Sequence, residues 1–218
     1  MGDEVMKTAV LIPAYNEEHT IGQVLRVALI CQDVNEVVVV SDGSTDQTAN
    51  IARKWGAKVI DLPENRGKGA AIMAGLKATQ AEIIVLLDAD LVGLNPSHIR
   101  LLLEPVRRGE ADMTVGVFKS GRIYTDISQR VAPFLNGQRA VKRQVLEALS
   151  HFELTRYGID IILSRYAKNT NLKVVTIELN NLTQLMKEEK LGLFSGIAAR
   201  LRMYWEIIVA LKYKLPPC

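Results

Sequence analysis

This sequence has few cysteines, no long apolar run and no large excess of either charge. Its two cysteines, Cys31 and Cys218, are too few for a disulfide framework. No apolar stretch reaches the roughly 18 residues that a membrane-spanning helix needs, and the charged N-terminus with its short apolar run predicts no signal peptide. The net charge of +3, without basic runs interleaved with aromatic residues, argues against a nucleic-acid partner. We therefore expect a reducing, cytoplasmic setting, with peripheral membrane contact left open.

The length of 218 residues suits one large α/β domain with a small appendage. We expect residues 1–180 to form the domain and residues 181–218 to form a helical extension. Apolar side chains in the extension recur at steps of four and three, which is typical of one helix face: Ile197, Leu201, Tyr204, Ile208 and Leu211. Packing on the domain, a homodimer interface and a membrane surface all remain open for this face.

Apolar runs alternate with helical periodicity along the first 90 residues. The runs predict strands at 7–13, 37–40, 58–62 and 82–88, and the segments between them predict helices, the second of which begins with capping-box spacing at Ser44 and Gln47. Because the strands are mostly apolar along their length and not only at every second residue, they indicate a mostly parallel sheet covered by helices on both faces, in which ligands bind at the carboxyl ends of strands. Further along, the patterns predict a helix at 96–107, a strand at 112–118, a helix after a loop at 136–138, a helix at 157–166 and a strand at 172–179.

Two carboxylates end the fourth predicted strand. An apolar run from Ile83 to Leu87 stops at Asp88 and Asp90, and alternation along an extended chain would place both side chains on the same side. Such a pair can bind one hard divalent cation that prefers oxygen ligands. A solvated acidic turn is the alternative.

Other polar segments also follow predicted strands. Lys68 lies between Gly67 and Gly69 at a helix start, where its charge and the backbone amides suit a diphosphate, although a simple helix-entry turn has the same pattern. The segment is not a P-loop, and no Gly-x-Gly-x-x-Gly follows the first strand. Glu17 and Asp42 suit hydrogen bonds to a base or ribose, and for Asp42 a turn residue capping its own backbone is the alternative. A nucleotide-sugar donor fits this layout.

The motifs in this order resemble family 2 type glycosyltransferases with a GT-A fold. They are Ile12-Pro13-Ala14-Tyr15-Asn16-Glu17-Glu18, Ser41-Asp42-Gly43-Ser44-Thr45-Asp46, Asn65-Arg66-Gly67-Lys68-Gly69 and Leu87-Asp88-Ala89-Asp90. The resemblance implies that the donor nucleotide is bound by Pro13, Ala14, Tyr15, Glu17, Asp42, Lys68, Asp88 and Ala89. It also implies Mg²⁺ or Mn²⁺ as the cofactor, held by Asp90 and Asp88.

The later part of the sequence more loosely resembles glucosyl-3-phosphoglycerate synthases, in the segments Asn136-Gly137-Gln138-Arg139-Ala140 and Tyr157-Gly158-Ile159-Asp160. The resemblance implies that Gly137, Gln138 and Arg139 contact the acceptor and that Asp160 is a catalytic base or a ligand of the acceptor hydroxyl. For Asp160, a favourable charge in a first helical turn is the alternative.

One departure from that branch concerns a late histidine that ligates the metal there. The equivalent position here is near Gln184, whose neutral amide oxygen is a weaker ligand. The three histidines, His19, His98 and His151, are interpreted as surface or capping residues.

The sequence therefore predicts a metal-dependent enzyme that moves a hexose from a nucleoside diphosphate sugar, by resemblance UDP-glucose, to an acceptor hydroxyl. Arg122, Arg130 and Arg139 suggest a phosphate-bearing small molecule as the acceptor, unless they are solvated surface charges. A polyprenyl phosphate is the main variant. The alternative from another functional class is a non-catalytic nucleotide-sugar binding protein. A sugar nucleotidyltransferase is disfavoured, because those enzymes have a longer glycine-rich loop after the first strand and this sequence has none. Retention or inversion at the anomeric carbon stays open.

Overall fold

A computed structural model of the protein describes residues 6–119, 137–149 and 159–184. The strands are β1 (Thr8–Ala14), β2 (Glu36–Asp42), β3 (Lys58–Leu62), β4 (Ile83–Leu86), β5 (Leu91–Val92), β6 (Met113–Lys119), β7 (Arg139–Lys142), β8 (Val174–Asn180) and β9 (Thr183–Gln184). The helices are α1 (Ile21–Ile30), α2 (Thr48–Lys54), α3 (Lys68–Ala78), α4 (Pro96–Arg107), α5 (Arg143–Glu147) and α6 (Ile159–Asn169).

Seven of these strands form one sheet in the order β3-β2-β1-β4-β7-β6-β8. Only β7 runs antiparallel to its neighbours, β4 and β6, so the predicted mostly parallel α/β sheet is confirmed. The chain moves outward from β1 through β2 to β3, then returns to place β4 on the other side of β1. This reversal is a topological switch point, and a crevice at the carboxyl ends of β1 and β4 is the expected ligand site.

The helices cover both faces of the sheet. Side chains of β1 alternate between them, with Val10 and Ile12 packing on the face of α1 and α4, and Leu11 packing on the face of α3, α5 and α6. The central strands are buried on both faces, which explains why they are apolar throughout. The sheet is thus a rigid support for the loops at its carboxyl edge.

Three details differ from the sequence predictions. The segment after 138 forms strand β7 before helix α5 begins, because it pairs with both β4 and β6. The capping box at Ser44 is not formed: the Ser44 hydroxyl accepts from the Asn16 amide, while Asp46 accepts from the Thr48 amide at the start of α2. Strand β4 ends at Leu86, and a turn at 89–90 follows, so Asp88 and Asp90 do not lie on an extended strand.

The predicted helical extension at 181–218 falls largely outside the described residues, as do Arg122, Arg130 and His151. Within the three described ranges, no helix is both long and apolar enough to cross a bilayer.

Candidate functional site

The loops after β1 and β2 are joined by hydrogen bonds around Asn16. Its backbone has a φ of 54°, in the left-handed region that asparagine tolerates. Its amide donates to the Ser44 hydroxyl (3.1 Å), and its side-chain oxygen accepts from the Thr45 amide (2.8 Å). Tyr15, the preceding residue, is 47% exposed. The two loops therefore form one surface beside the switch point, with an aromatic ring in solvent.

Glu17 and Asp42, both predicted to bind the nucleoside, are held by local hydrogen bonds. The Thr20 hydroxyl donates to the Glu17 carboxylate (2.9 Å). The Asp42 carboxylate is 3% exposed and accepts from the backbone amides of Arg66 (2.8 Å) and Gly67 (2.7 Å). Asp42 thus fixes the loop that precedes α3 instead of capping its own backbone.

Lys68 is the first residue of α3, and its ammonium lies between two carboxylates. Its Nζ atom is 2.8 Å from Asp88 Oδ1 and 3.0 Å from Asp160 Oδ2. All three side chains are at least four-fifths shielded from water. Burial alone would lower the pKa of Lys68, but Asp160 and Asp88 outweigh it and raise that pKa, so the lysine is charged. The sequence predicted these residues separately, and the fold brings them together.

Asp88 also accepts hydrogen bonds from two side-chain amides. The side-chain nitrogens of Gln138 (2.8 Å) and Gln184 donate to its Oδ2 atom. Burial opposes ionisation of Asp88, yet Lys68 and these two donors lower its pKa overall. Gln184 reaches the site because β9 pairs with β5, directly after Asp90.

Gly137 lies directly over this ion pair. A Cβ atom at this position would be 2.6 Å from Asp88 Oδ2 and would also overlap Lys68 Nζ. A side chain at this position would therefore have to displace the ends of the Lys68 and Asp88 side chains.

Arg139 is placed differently from the acceptor contact that the sequence predicts. It is fully buried, and its guanidinium donates to the Asp160 carbonyl and to the Ser164 hydroxyl, both at 3.1 Å. Burial lowers the pKa of Arg139, while Asp160 and Asp88 oppose that shift. Ser164, which sequence reasoning did not single out, lies one helical turn beyond Asp160 and offers no signal in the sequence apart from that spacing.

The oxygen atoms at this edge are those that Mg²⁺ or Mn²⁺ prefers. Asp88, Asp90 and the Gln184 amide can supply oxygen ligands, with ligand and water oxygens completing the shell. Asp88 already holds one cation, the Lys68 ammonium, which shows that its position favours positive charge. Among the described residues, no three His, Cys, Asp or Glu side chains are grouped so that they could hold a metal ion.

Comparison with known proteins places this geometry in a family. The sequence model of glycosyl transferase family 2 matches residues 9–166. The chain belongs to glycosyl transferase family 2. Its match with a glucosyl-3-phosphoglycerate synthase of Mycobacterium tuberculosis is 35% identical over 191 residues, covering 70% of this chain and 58% of that protein. Its match with an undecaprenyl-phosphate 4-deoxy-4-formamido-L-arabinose transferase of Edwardsiella ictaluri is 28% identical over 215 residues, covering 87% and 64%.

A solved structure confirms the GT-A architecture of this family 2 chain. The crystal structure of glucosyl-3-phosphoglycerate synthase from Mycobacterium tuberculosis in complex with Mn²⁺, UDP-glucose and phosphoglyceric acid aligns with a TM-score of 0.77 at 25% identity. The alignment covers 94% of this chain and 78% of that one. The chain spans less than two thirds of the length of the two curated relatives.

Proposed function

We propose that this protein transfers a hexose from a nucleoside diphosphate sugar, with UDP-glucose as the donor, to a hydroxyl of a phosphate-bearing acceptor. The observation that carries the proposal is the meeting of Lys68, Asp88 and Asp160 at the switch point of the sheet. Together, the cation and the two carboxylates can do both tasks that a transfer reaction needs. They can hold the donor diphosphate, and they can accept a hydrogen bond from the acceptor hydroxyl.

The donor half lies on the loops after β1, β2 and β4. Tyr15 offers its exposed ring to the base, and Glu17 and Asp42 face the nucleoside beside the backbone of Pro13 and Ala14. Lys68, at the N-terminus of α3, supplies the positive charge that binds the diphosphate, together with Asp88 and Ala89.

The cofactor is Mg²⁺ or Mn²⁺, held by Asp90 with Asp88 and the Gln184 amide oxygen. When bound, the cation neutralises the negative charge that develops on the departing diphosphate. The structures of the Mycobacterium tuberculosis synthase in complex with Mn²⁺ or Mg²⁺ and UDP support this cofactor.

The acceptor half lies around Asp160, Gly137 and Gln138. Asp160 receives a hydrogen bond from the acceptor hydroxyl and serves as its base. The Gln138 side chain is fully buried and donates to Asp88, so it supports the carboxylate beside the acceptor half. Phosphoglycerate is the first acceptor to test, because a relative and a similar structure are named for it. Undecaprenyl phosphate is the second, after the other relative.

The test combines binding and turnover in one preparation. UDP-glucose and GDP-mannose are titrated calorimetrically with Mn²⁺ and with EDTA, and glucose transfer to 3-phosphoglycerate or undecaprenyl phosphate is then followed with labelled donor. We expect metal-dependent binding of UDP-glucose that Asp90→Ala abolishes, and transfer that Asp160→Asn reduces without loss of donor binding. Absence of binding by any nucleotide sugar would overturn the proposal.

A non-catalytic nucleotide-sugar binding protein is the second candidate, because the resemblance to glucosyl-3-phosphoglycerate synthases implies a metal-ligating histidine near the position of Gln184. It predicts donor binding without hydrolysis or transfer. Gln184→His distinguishes the two: a gain of turnover in the variant, from none in the parent, would favour the binding protein.

A further inference from the structure

We propose that Arg139 is a positioning residue, which holds the Asp160 carboxylate against Lys68 and contacts no substrate itself. The inference rests on the proposed glycosyl transfer, in which Asp160 faces the acceptor. It changes the role that the sequence suggests for Arg139, from an anion contact at the surface to an internal support of the catalytic carboxylate.

Arg139 lies inside the sheet, at the end of β4 from which Asp88 follows. It pairs with Leu86, the last residue of β4, on one side and with Val115 of β6 on the other, so it belongs to an interior strand. Its side chain has no exposure to solvent. An acceptor in the crevice therefore cannot reach the guanidinium, and any effect of Arg139 on the reaction has to act through its neighbours.

Two of those neighbours, Asp160 and Ser164, are on the first two turns of α6, and a third is the Met113 sulfur of β6, which accepts from Nη1 at 3.7 Å. One guanidinium nitrogen, Nη2, donates to the Asp160 carbonyl oxygen and to the Ser164 hydroxyl, both at 3.1 Å, and Nε lies 3.7 Å from Asp160 Oδ1. The Ser164 hydroxyl in turn donates to the Asp160 carbonyl (2.9 Å). The guanidinium thus fixes the Asp160 backbone by a hydrogen bond, and its charge lies within ion-pair distance of the Asp160 carboxylate, whose Oδ1 atom has no hydrogen-bond partner within the described part of the chain.

The charges explain why an arginine is tolerated in the sheet interior. Asp160 lies between two cations, with Lys68 at Oδ2 and Arg139 on the side of Oδ1. A buried cation is costly unless a carboxylate and hydrogen bonds compensate it, and Asp160 supplies the carboxylate. Lysine is a poorer substitute because its single nitrogen cannot donate to the carbonyl and the hydroxyl and also face the carboxylate, for which the guanidinium uses two separate nitrogens, Nη2 and Nε.

The experiment compares Arg139→Met and Arg139→Lys with Arg143→Met. Arg143 is a matched control: it is also mostly shielded, and it donates to the carbonyls of Leu76 and Thr79 on the α3 side, away from Asp160. For each variant the midpoint of thermal unfolding, the affinity for UDP-glucose, and kcat and KM for glucose transfer are measured below the unfolding range.

We expect Arg139→Met to lower kcat by about 10- to 100-fold, as losses of a supporting partner typically do, with donor affinity within about two-fold of the parent. Arg139→Lys should recover part of the loss. Arg143→Met should lower the midpoint while kcat stays within about two-fold. Equal kcat losses in Arg139→Met and Arg143→Met at equal midpoints would overturn the inference. If Arg139→Met does not fold, the kcat of Arg139→Lys is the deciding measurement. A kcat equal to that of the parent in this variant overturns the inference.

A crystal structure of Arg139→Lys separates this inference from the proposed function. We expect Asp160 Oδ2 to lie farther from Lys68 Nζ than the 3.0 Å of the parent, and an unchanged distance would contradict the positioning role. This result does not require turnover. If the parent protein turns over no donor, the proposed function fails while the structural comparison still decides whether Arg139 positions Asp160.

Discussion

Lys68 and Asp160 are 92 residues apart in the chain, and their Nζ and Oδ2 atoms are 3.0 Å apart in the fold. The same ammonium contacts Asp88 at 2.8 Å. One lysine therefore compensates two shielded carboxylates, one on the donor side of the proposed site and one on the acceptor side.

Replacing Lys68 by methionine should destabilise the protein strongly and make its stability depend on divalent metal. Removing one partner of a buried ion pair typically costs about 3–5 kcal/mol, because the remaining charges are left uncompensated. Asp88 and Asp160 would then attract an external cation. Thermal unfolding with Mn²⁺ and with EDTA should show a larger stabilisation by metal in Lys68→Met than in the parent.

Lys58→Met is the matched control, because Lys58 pairs with Glu36 where both side chains are well exposed. Exposed pairs contribute less than about 1 kcal/mol, so this variant should lose little stability and gain no response to metal. An equal response to Mn²⁺ in both variants would argue against a special role for the lysine at the site.

Gly137→Ala should weaken donor binding with little change in the rest of the fold. The added methyl group would overlap Lys68 Nζ and lie 2.6 Å from Asp88 Oδ2, so the ion pair has to separate. We expect at least about a ten-fold loss of UDP-glucose affinity by calorimetry, equivalent to about 1.4 kcal/mol. Gly22→Ala in α1, where the new atom would meet the Trp55 ring at 3.2 Å, is the control and should leave this affinity unchanged.

The central sheet was predictable because its signal is local. Strands β1, β2 and β4 each contain a continuous apolar run, and a chain segment covered on both faces has to contain one. Lys68, Asp88 and Asp160 were predictable as polar residues at strand ends and helix starts. The sequence could not show that one ammonium joins both carboxylates, since that contact depends on the packing of α3 against β4 and α6.

Arg139 and β7 show what sequence patterns miss. Strand β7 has four residues, and its sequence, Arg-Ala-Val-Lys, carries little strand signal; pairing with β4 and β6 decides its conformation. An arginine is mostly a surface residue, so its burial follows only from the partner that α6 places opposite it. Burial of this kind is set by tertiary contacts.

Asp42→Ala should lower stability even without nucleotide. Its carboxylate accepts from the amides of Arg66 and Gly67, and losing it leaves these donors without that partner. An unsatisfied buried group costs about 1–3 kcal/mol, which urea denaturation can measure. Asp61→Ala is the control, because Asp61 pairs with Arg53 in a half-exposed bridge and should cost less than about 1 kcal/mol.

The same variants separate two roles of Asp42. If it also binds the nucleoside, Asp42→Ala should lose UDP affinity at temperatures where the loop before α3 remains folded, as judged by hydrogen exchange of Gly67. Parental UDP affinity in a destabilised Asp42→Ala would leave Asp42 with a purely structural role.

The last relationship to test is between His98 and the end of β8. The sequence suggested a surface or capping residue; His98 is 4% exposed, so it is not a surface residue, and its backbone amide donates to the side chain of Asn95, the N-cap of α4. Its Nε2 atom is 3.0 Å from the Asn180 carbonyl, which ties α4 to the turn that leads into β9 and Gln184. Burial lowers the pKa of His98, because it disfavours the charged imidazolium, and the Asn180 carbonyl opposes this only in part.

Acidification should therefore destabilise the protein through His98. The unfolded state takes up the histidine proton near its ordinary pKa of about 6.5, while the folded state resists it until a lower pH. The free energy of unfolding is thus fully retained above about pH 6.5 and falls as the pH drops toward the lowered folded pKa. Urea denaturation from about pH 7.5 to about pH 5.5 should show this loss in the parent and a smaller loss in His98→Gln. His19→Gln, at a side chain that is 92% exposed, should keep the parental pH dependence, and an unchanged slope in His98→Gln would show that another group causes it.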